Sequence, residues 1–188
     1  MENILKKEVI LNKAACRLIG VAAFIILTSL GAFIRIPLPF TPVPLTLQTF
    51  FVLLSAAFLG SGLGLVSQLG YLFLGVSGVP IFSAAGSGYL YLLGPTGGYL
   101  FGFLIAALLV GRLIKQIPQR ALYVFGLFSL AGMVILFFGS LWLKIFLALP
   151  LSKALSLGCL PFIPGDLLKA ALAAAIYMKL ESRLRKVF

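Results

Sequence analysis

Histidine is absent from the 188 residues. That removes imidazole general acid–base catalysis, Ser-His and Cys-His nucleophile pairs, and histidine-based metal sites. Acids are almost absent too: Glu2, Glu8, Asp166 and Glu181 are the four. Three lie near the chain ends, so Asp166 alone sits inside the apolar body. One interior carboxylate cannot build a two-carboxylate mechanism or an acid-lined divalent-cation site. No metal and no cofactor is therefore expected. The two cysteines, Cys16 and Cys159, stand in apolar surroundings and read as unpaired packing residues. Charge of either sign is scarce, at 10% of residues against about 25% in soluble domains.

What is present in quantity is apolar. The apolar share is 62% and the mean hydropathy is +1.17, well beyond a soluble composition. Six membrane helices of about 20 residues would take roughly 120 residues, leaving no room for a separate soluble catalytic domain. The expectation is one all-α, membrane-embedded domain over residues 1–188. Its spans are predicted at about 14–34, 45–59, 63–76, 96–112, 121–149 and 165–179, with a tight turn at Gly60-Ser61-Gly62. The charged leader at the start lacks a small-residue cleavage site before a polar mature domain, so no cleaved signal is expected.

The net charge of +11 has a topological reading. Lys6, Lys7, Lys13 and Arg17 precede or enter the first span. Arg112, Lys115 and Arg120 lie between spans four and five, and Lys179, Arg183, Arg185 and Lys186 follow the sixth. Eleven of the fifteen basic residues thus fall on one side; Arg35, Lys144, Lys153 and Lys169 are the rest. Since Lys and Arg favour the cytoplasm, both termini are expected there. The residues are not gathered into an aromatic-studded stripe, so no nucleic-acid partner is expected. Three irregular segments would then face outward: 35–44, 77–98 and 150–164. The first carries Pro37, Pro39, Pro42 and Pro44, which cannot be helix interior and predict a stiff, extended loop.

Three motifs carry the candidate chemistry. In Pro164-Gly165-Asp166-Leu167-Leu168-Lys169, Asp166 and Lys169 are three apart and share a helix face. Ionisable groups at membrane depth usually meet each other or a cavity. Either they form a simple pair in the first helical turn, or both hold a polar ligand, and the lysine favours the second. In Gly94-Pro95-Thr96-Gly97-Gly98-Tyr99, the glycines permit close approach of a ligand or a helix. Gln48, one turn into a helix after Pro42-Val43-Pro44, needs a partner for its amide, on another helix or on a ligand. Cys16, Gly20, Ala22 and Ala23 form a small-residue stripe, suited to packing within the domain or to docking a partner protein.

In this order, the segment from Ile36 to Phe50, the Gly94–Tyr99 motif and the Pro164–Lys169 motif resemble the BioY family, the biotin-specific S components of energy-coupling factor transporters. The resemblance covers about residues 14–180. It implies a six-helix protein with an outward-facing pocket that captures biotin for uptake. It also implies that Asp166 and Lys169 contact biotin, that residues 37–44 form part of a lid, that residues 86–99 line the site, and that small residues of helix one meet a transmembrane coupling subunit. Two ATPase subunits would complete the assembly and use the ATP, since no ATP-binding signature is encoded here.

The chemistry of biotin suits these residues. Asp166 can accept from ureido N–H groups; Lys169 can donate to the ureido oxygen or pair with the ligand carboxylate, for which Arg35 is a second candidate. Gln48 and Thr96 could add polar contacts, and Phe40, Phe82, Tyr89 and Tyr99 apolar walls. Two alternatives remain open at this point: an S component for thiamine or riboflavin, and an intramembrane enzyme, which the missing histidine and second acid oppose.

Overall fold

The computed structural model describes residues 2–184, and the side chains of residues 13–181. Arg185 and Lys186 lie outside the described residues, and the side chains of Lys6, Lys7 and Arg183 outside the described side chains. The chain is built from helices: α1 Glu2–Phe33, α2 Gln48–Val76, α3 Tyr89–Leu93, α4 Gly97–Leu113, α5 Ala121–Phe146, α6 Leu151–Gly158 and α7 Ile163–Leu184. Two short strands, β1 Arg35–Ile36 and β2 Leu45–Thr46, pair antiparallel with Arg35 opposite Thr46.

α2 is two rods, not one. Gly60 has φ +79° and ψ −179°, a conformation open to glycine and strained for other residues. Gln48 and Tyr71 would be about 35 Å apart on a straight helix, yet Gln48 Nε2 lies 2.7 Å from the Tyr71 hydroxyl. Gln68 Nε2 likewise reaches Ser55 Oγ at 3.0 Å. The chain therefore doubles back at Gly60 into an antiparallel hairpin of helices, residues 48–59 and 61–76. With α1, α4, α5 and α7 these limbs give six rods. The stretches Lys13–Phe33, Gln48–Val76, Ala121–Phe146 and Leu151–Glu181 are long and apolar enough to cross a membrane, and Gly97–Leu113 is a shorter apolar helix.

Packing follows the small residues. α2 packs on α1, α4 and α7, and α5 on α4, α6 and α7. A β-carbon on Gly98 would stand 2.2 Å from Trp142 Cβ and 2.5 Å from the Phe138 carbonyl oxygen, so α4 and α5 meet nearly backbone to backbone there. A β-carbon on Gly111 would stand 2.3 Å from Ser61 N, which fixes the end of α4 against the α2 turn. The Gly60 turn, the end of α4 and the start of α5 thus share one end of the bundle. Lys13, Arg17, Arg112, Lys115, Arg120 and Lys179 are all exposed toward that side. The irregular segments lie at the other.

Two of those segments are more ordered than expected. Residues 37–44 do not run as a free extended loop; β1 and β2 close them into a hairpin. Residues 150–164 are not a loop. Pro150 precedes α6, and a 3₁₀ turn, Leu160–Phe162, leads into α7. Proline lacks an N–H but fits a first helical turn, where that donor has no partner anyway. Pro161 in the 3₁₀ turn and Pro164 at the start of α7 therefore begin helical segments. The fifth span ends at Phe146 rather than at residue 149.

Candidate functional site

A cavity opens at the end of the bundle that carries the irregular segments. The non-atom space within it, open solvent at the mouth included, is about 530 Å³. β2, both limbs of α2, the 77–98 segment, α4, α5 and the start of α7 all contribute to its wall.

One wall is ionic. Asp166 stands in the first turn of α7 and pairs with Lys169 one turn on. Their side chains are 10% and 9% exposed, so the pair is nearly removed from solvent. Lys169 Nζ also donates to the Thr46 carbonyl at 2.9 Å, tying α7 to β2. The Thr49 hydroxyl donates to Asp166 Oδ1 at 3.4 Å. Asp166 Oδ2 is buried with no hydrogen-bond partner. A carboxylate oxygen left so is an acceptor awaiting a donor, because a buried acceptor without one costs about 1–3 kcal/mol or more.

A second wall is built from amide and phenol groups. Thr46 Oγ1 donates to Gln48 Oε1 at 3.1 Å, and Gln48 Nε2 donates to the Tyr71 hydroxyl at 2.7 Å. That hydroxyl donates to the Ile81 carbonyl at 3.2 Å. The chain of bonds links β2, the α2 hairpin and the 77–98 segment, and it holds the Gln48 amide in one orientation. Tyr99 donates to the Gly158 carbonyl at 2.6 Å, and Trp142 Nε1 to the Gly94 carbonyl at 2.8 Å. These two bonds seat α6 and the glycine motif against the bundle. Leu100, Phe103, Ile135, Leu136 and Phe162 make the rest of the lining apolar.

Of the residues singled out in the sequence, Gln48, Thr96, Tyr99, Asp166, Lys169 and Pro44 line this cavity. Phe82 does not; it is fully buried behind the wall, stacked on Tyr91 at 4.7 Å between ring centroids and edge-on to Tyr71 at 5.4 Å. Tyr89 and Phe40 point outward, 66% and 54% exposed. Arg35 is exposed in β1 and is not part of the cavity lining. Pro37, Pro39 and Pro42 are exposed. On α1, Gly20 is buried, Cys16 half-buried, and Ala22 and Ala23 exposed, so the small residues do not share one open face. Tyr71, Tyr91, Ser83, Thr46 and Thr49 line the cavity although the sequence did not single them out. Tyr71 lies three residues after Gln68 in an apolar run, a polar pair that could have marked an inward face. Among the described residues no group of three or more His, Cys, Asp or Glu side chains comes together as a metal site.

The chain has close relatives in sequence and fold. Residues 5–186 match the BioY family. The chain belongs to that family. The biotin transporter BioY of Thermotoga maritima is 39% identical over 165 residues, covering 88% of this chain and 95% of that protein. The biotin transporter BioY2 of Lactococcus lactis is 38% identical over 135 residues, 72% of this chain and 74% of that one. A crystal structure of the S-component for biotin from an ECF-type ABC transporter superposes with a TM-score of 0.87 at 29% identity, covering 92% of this chain and 94% of that chain. The all-α, six-helix membrane fold of this BioY-family chain is thus that of an S component, and the named relatives are transporters, not enzymes.

Proposed function

We propose that this BioY-family chain captures biotin as the substrate-specific subunit of an energy-coupling factor transporter, with Asp166 and Lys169 as its central ligand contacts. The observation that carries the reading is the buried Asp166–Lys169 pair, with its unpartnered Oδ2, in a cavity otherwise lined by apolar and phenolic groups. Biotin needs that combination: two ureido N–H donors, acceptor oxygens, and an apolar thiophane ring and chain. Gln48, Thr96 and Tyr99 join the same lining. The β1–β2 hairpin carries Val43, Pro44, Leu45 and Thr46 into the cavity wall, which suits residues 37–44 to act as its lid.

The same reading places both termini in the cytoplasm and the cavity outside, because six of the ten basic residues with described side chains lie toward the opposite end. A transmembrane coupling subunit and two ATPases would supply the energy. The α1 face carrying Ala22, Ala23, Ile26 and Leu30, exposed in the bundle, is a surface for the coupling subunit.

Equilibrium binding to detergent-purified protein tests the substrate. Labelled biotin should bind saturably, and excess thiamine or riboflavin should not displace it. Displacement by either vitamin at the concentration where unlabelled biotin competes would reassign the substrate.

A further inference from the structure

A second concavity lies on the outer surface of the bundle. It is a groove over the first half of α4, between the second limb of α2 and residues 138–145 of α5, with Leu92 and Leu93 of α3 at its head. The non-atom space within it, its open side included, is about 990 Å³. Leu100 lines both this groove and the polar cavity, and at 4% exposed it forms a wall between them. The lining excludes a polar ligand. Its side chains are Leu, Ile, Phe and Trp, and Gly97 and Gly98 open its floor. Its polar side-chain atom, Trp142 Nε1, already donates to the Gly94 carbonyl at 2.8 Å. Donors or acceptors of a ligand would be buried there without partners, at a cost of about 1–3 kcal/mol each. The occupant is therefore a hydrocarbon.

We propose that this groove holds one acyl chain of a membrane phospholipid, from the leaflet on the cavity side, with Lys144 at its phosphate. The site stands whichever vitamin the cavity takes. Its length decides between a lipid and a partner helix. Gly97 to Leu104 of α4 and Phe138 to Ile145 of α5 bound it, and each stretch rises about 10 Å. A helix crossing the membrane would need a groove of about 30 Å, whereas 10 Å fits inside one leaflet. The surroundings mark the membrane surface. No residue of α3 is buried, and Tyr89, Leu90 and Leu93 are 66%, 65% and 56% exposed, as suits a short helix lying at the interface. Lys144 is exposed in the last turn of α5, three residues from Leu141 in the groove and so beside it on the helix. Of the two acids with described side chains, Asp166 is paired with Lys169, and Glu181 lies toward the far end of α7. The Lys144 charge is thus placed to meet a lipid phosphate.

Trp142 is the chain's one tryptophan and lines the groove, so its fluorescence reports the occupant. Bromine atoms on an acyl chain quench an indole on contact. Phosphatidylglycerol with brominated chains, titrated into the detergent-purified chain, should quench Trp142 saturably at one lipid per protein. Unbrominated phosphatidylglycerol should reverse the quenching. Leu104→Phe combined with Leu141→Phe fills the groove with carbon and should raise the half-quenching concentration roughly 10-fold. Leu172→Phe, at an exposed position of α7 outside the groove, should leave it unchanged. Lys144→Gln should raise it severalfold. Quenching that climbs in proportion to added lipid without saturating, or that the groove-filling variant shares with wild type, would mean bulk lipid only and overturn the site. Absence of quenching would overturn it too, and a protein that then runs as a dimer would give the groove to a second copy. Lys144→Gln behaving as wild type would overturn the phosphate contact. If the double variant does not fold, saturation and reversal in the wild-type protein still decide.

Discussion

A single amide shows how much one side chain does in this site. Gln48 is 5% exposed, and both ends of its amide are engaged, by Thr46 and by Tyr71. Gln48→Leu would keep the volume but release Thr46 Oγ1 and the Tyr71 hydroxyl, although Tyr71 retains the Ile81 carbonyl. Losing neutral hydrogen bonds worth about 0.5–1.5 kcal/mol each predicts biotin binding weakened by roughly 2- to 10-fold, read by equilibrium titration. An unchanged affinity would remove Gln48 from the site. The role of the Asp166–Lys169 spacing was legible in the sequence, because two ionisable groups one turn apart inside an apolar chain are costly unless they meet each other or line a cavity. Tyr71 was not legible, and Tyr91 only as part of the glycine-rich segment 86–99. A tyrosine in an apolar run looks like core, and their placement depends on the α2 hairpin and on the fold of the 77–98 segment, neither of which is a local property. Phe82, Tyr89 and Phe40 were placed in the site by their size, but size does not say which way a ring in an irregular segment turns.

Among the elements, α4 packs closely on both α2 and α5, and glycine makes this possible. Gly98 lets α4 close on Trp142 and the Phe138 carbonyl of α5. That approach places Tyr99 to reach the Gly158 carbonyl. Gly98→Ala must push the two backbones apart. The cost expected of overpacking is about 1–3 kcal/mol, visible as a lowered midpoint of thermal unfolding in detergent, with weaker biotin binding because Tyr99 and Leu100 shift. Gly126 makes a control, since a β-carbon there would meet nothing within 4 Å; Gly126→Ala should leave both measurements unchanged. Equal behaviour of the two variants would contradict the close α4–α5 contact. The Gly60-Ser61-Gly62 turn was readable from composition, and Gly60 is where the chain reverses. The helix α6 was not. With Pro150 before it and Pro161 and Pro164 after it, the segment looked like a loop, although all three prolines are compatible with the start of a helical turn.

For the whole molecule, the decisive feature is polarity between its ends. One end carries Lys13, Arg17, Arg112, Lys115, Arg120 and Lys179, six of the ten basic residues whose side chains are described, and the other gathers the cavity, the β-hairpin and the irregular backbone, with Arg35, Lys144, Lys153 and Lys169. Non-helical backbone at membrane depth is tolerated where protein buries it or it lines a cavity, and here Val43, Pro44, Leu45, Thr46, Ser83, Tyr91 and Thr96 of the irregular segments line the cavity. The six-rod count was legible from apolar runs and breakers. The closure of distant segments on one cavity was not, because it follows from packing across the bundle. The orientation gives a direct expectation. In intact cells a cysteine placed at Ser152 should react quickly with a membrane-impermeant thiol reagent, and one placed at Gln116 should react only after lysis. The opposite pattern would invert the topology.

The central claim, that the Asp166–Lys169 pair holds biotin, is tested most directly by titrating biotin into purified Asp166→Asn, Lys169→Met and the double variant while monitoring folding by circular dichroism. Loss of a hydrogen bond to a charged group costs about 1.5–3 kcal/mol, so each single variant should bind roughly 10- to 150-fold more weakly than wild type. The double variant should bind no better than the weaker single. If the pair served only structure, removing both charges together would be tolerated, since replacing a buried ion pair by apolar or neutral groups is often neutral or stabilising. A folded double variant that binds biotin as wild type does would contradict the account.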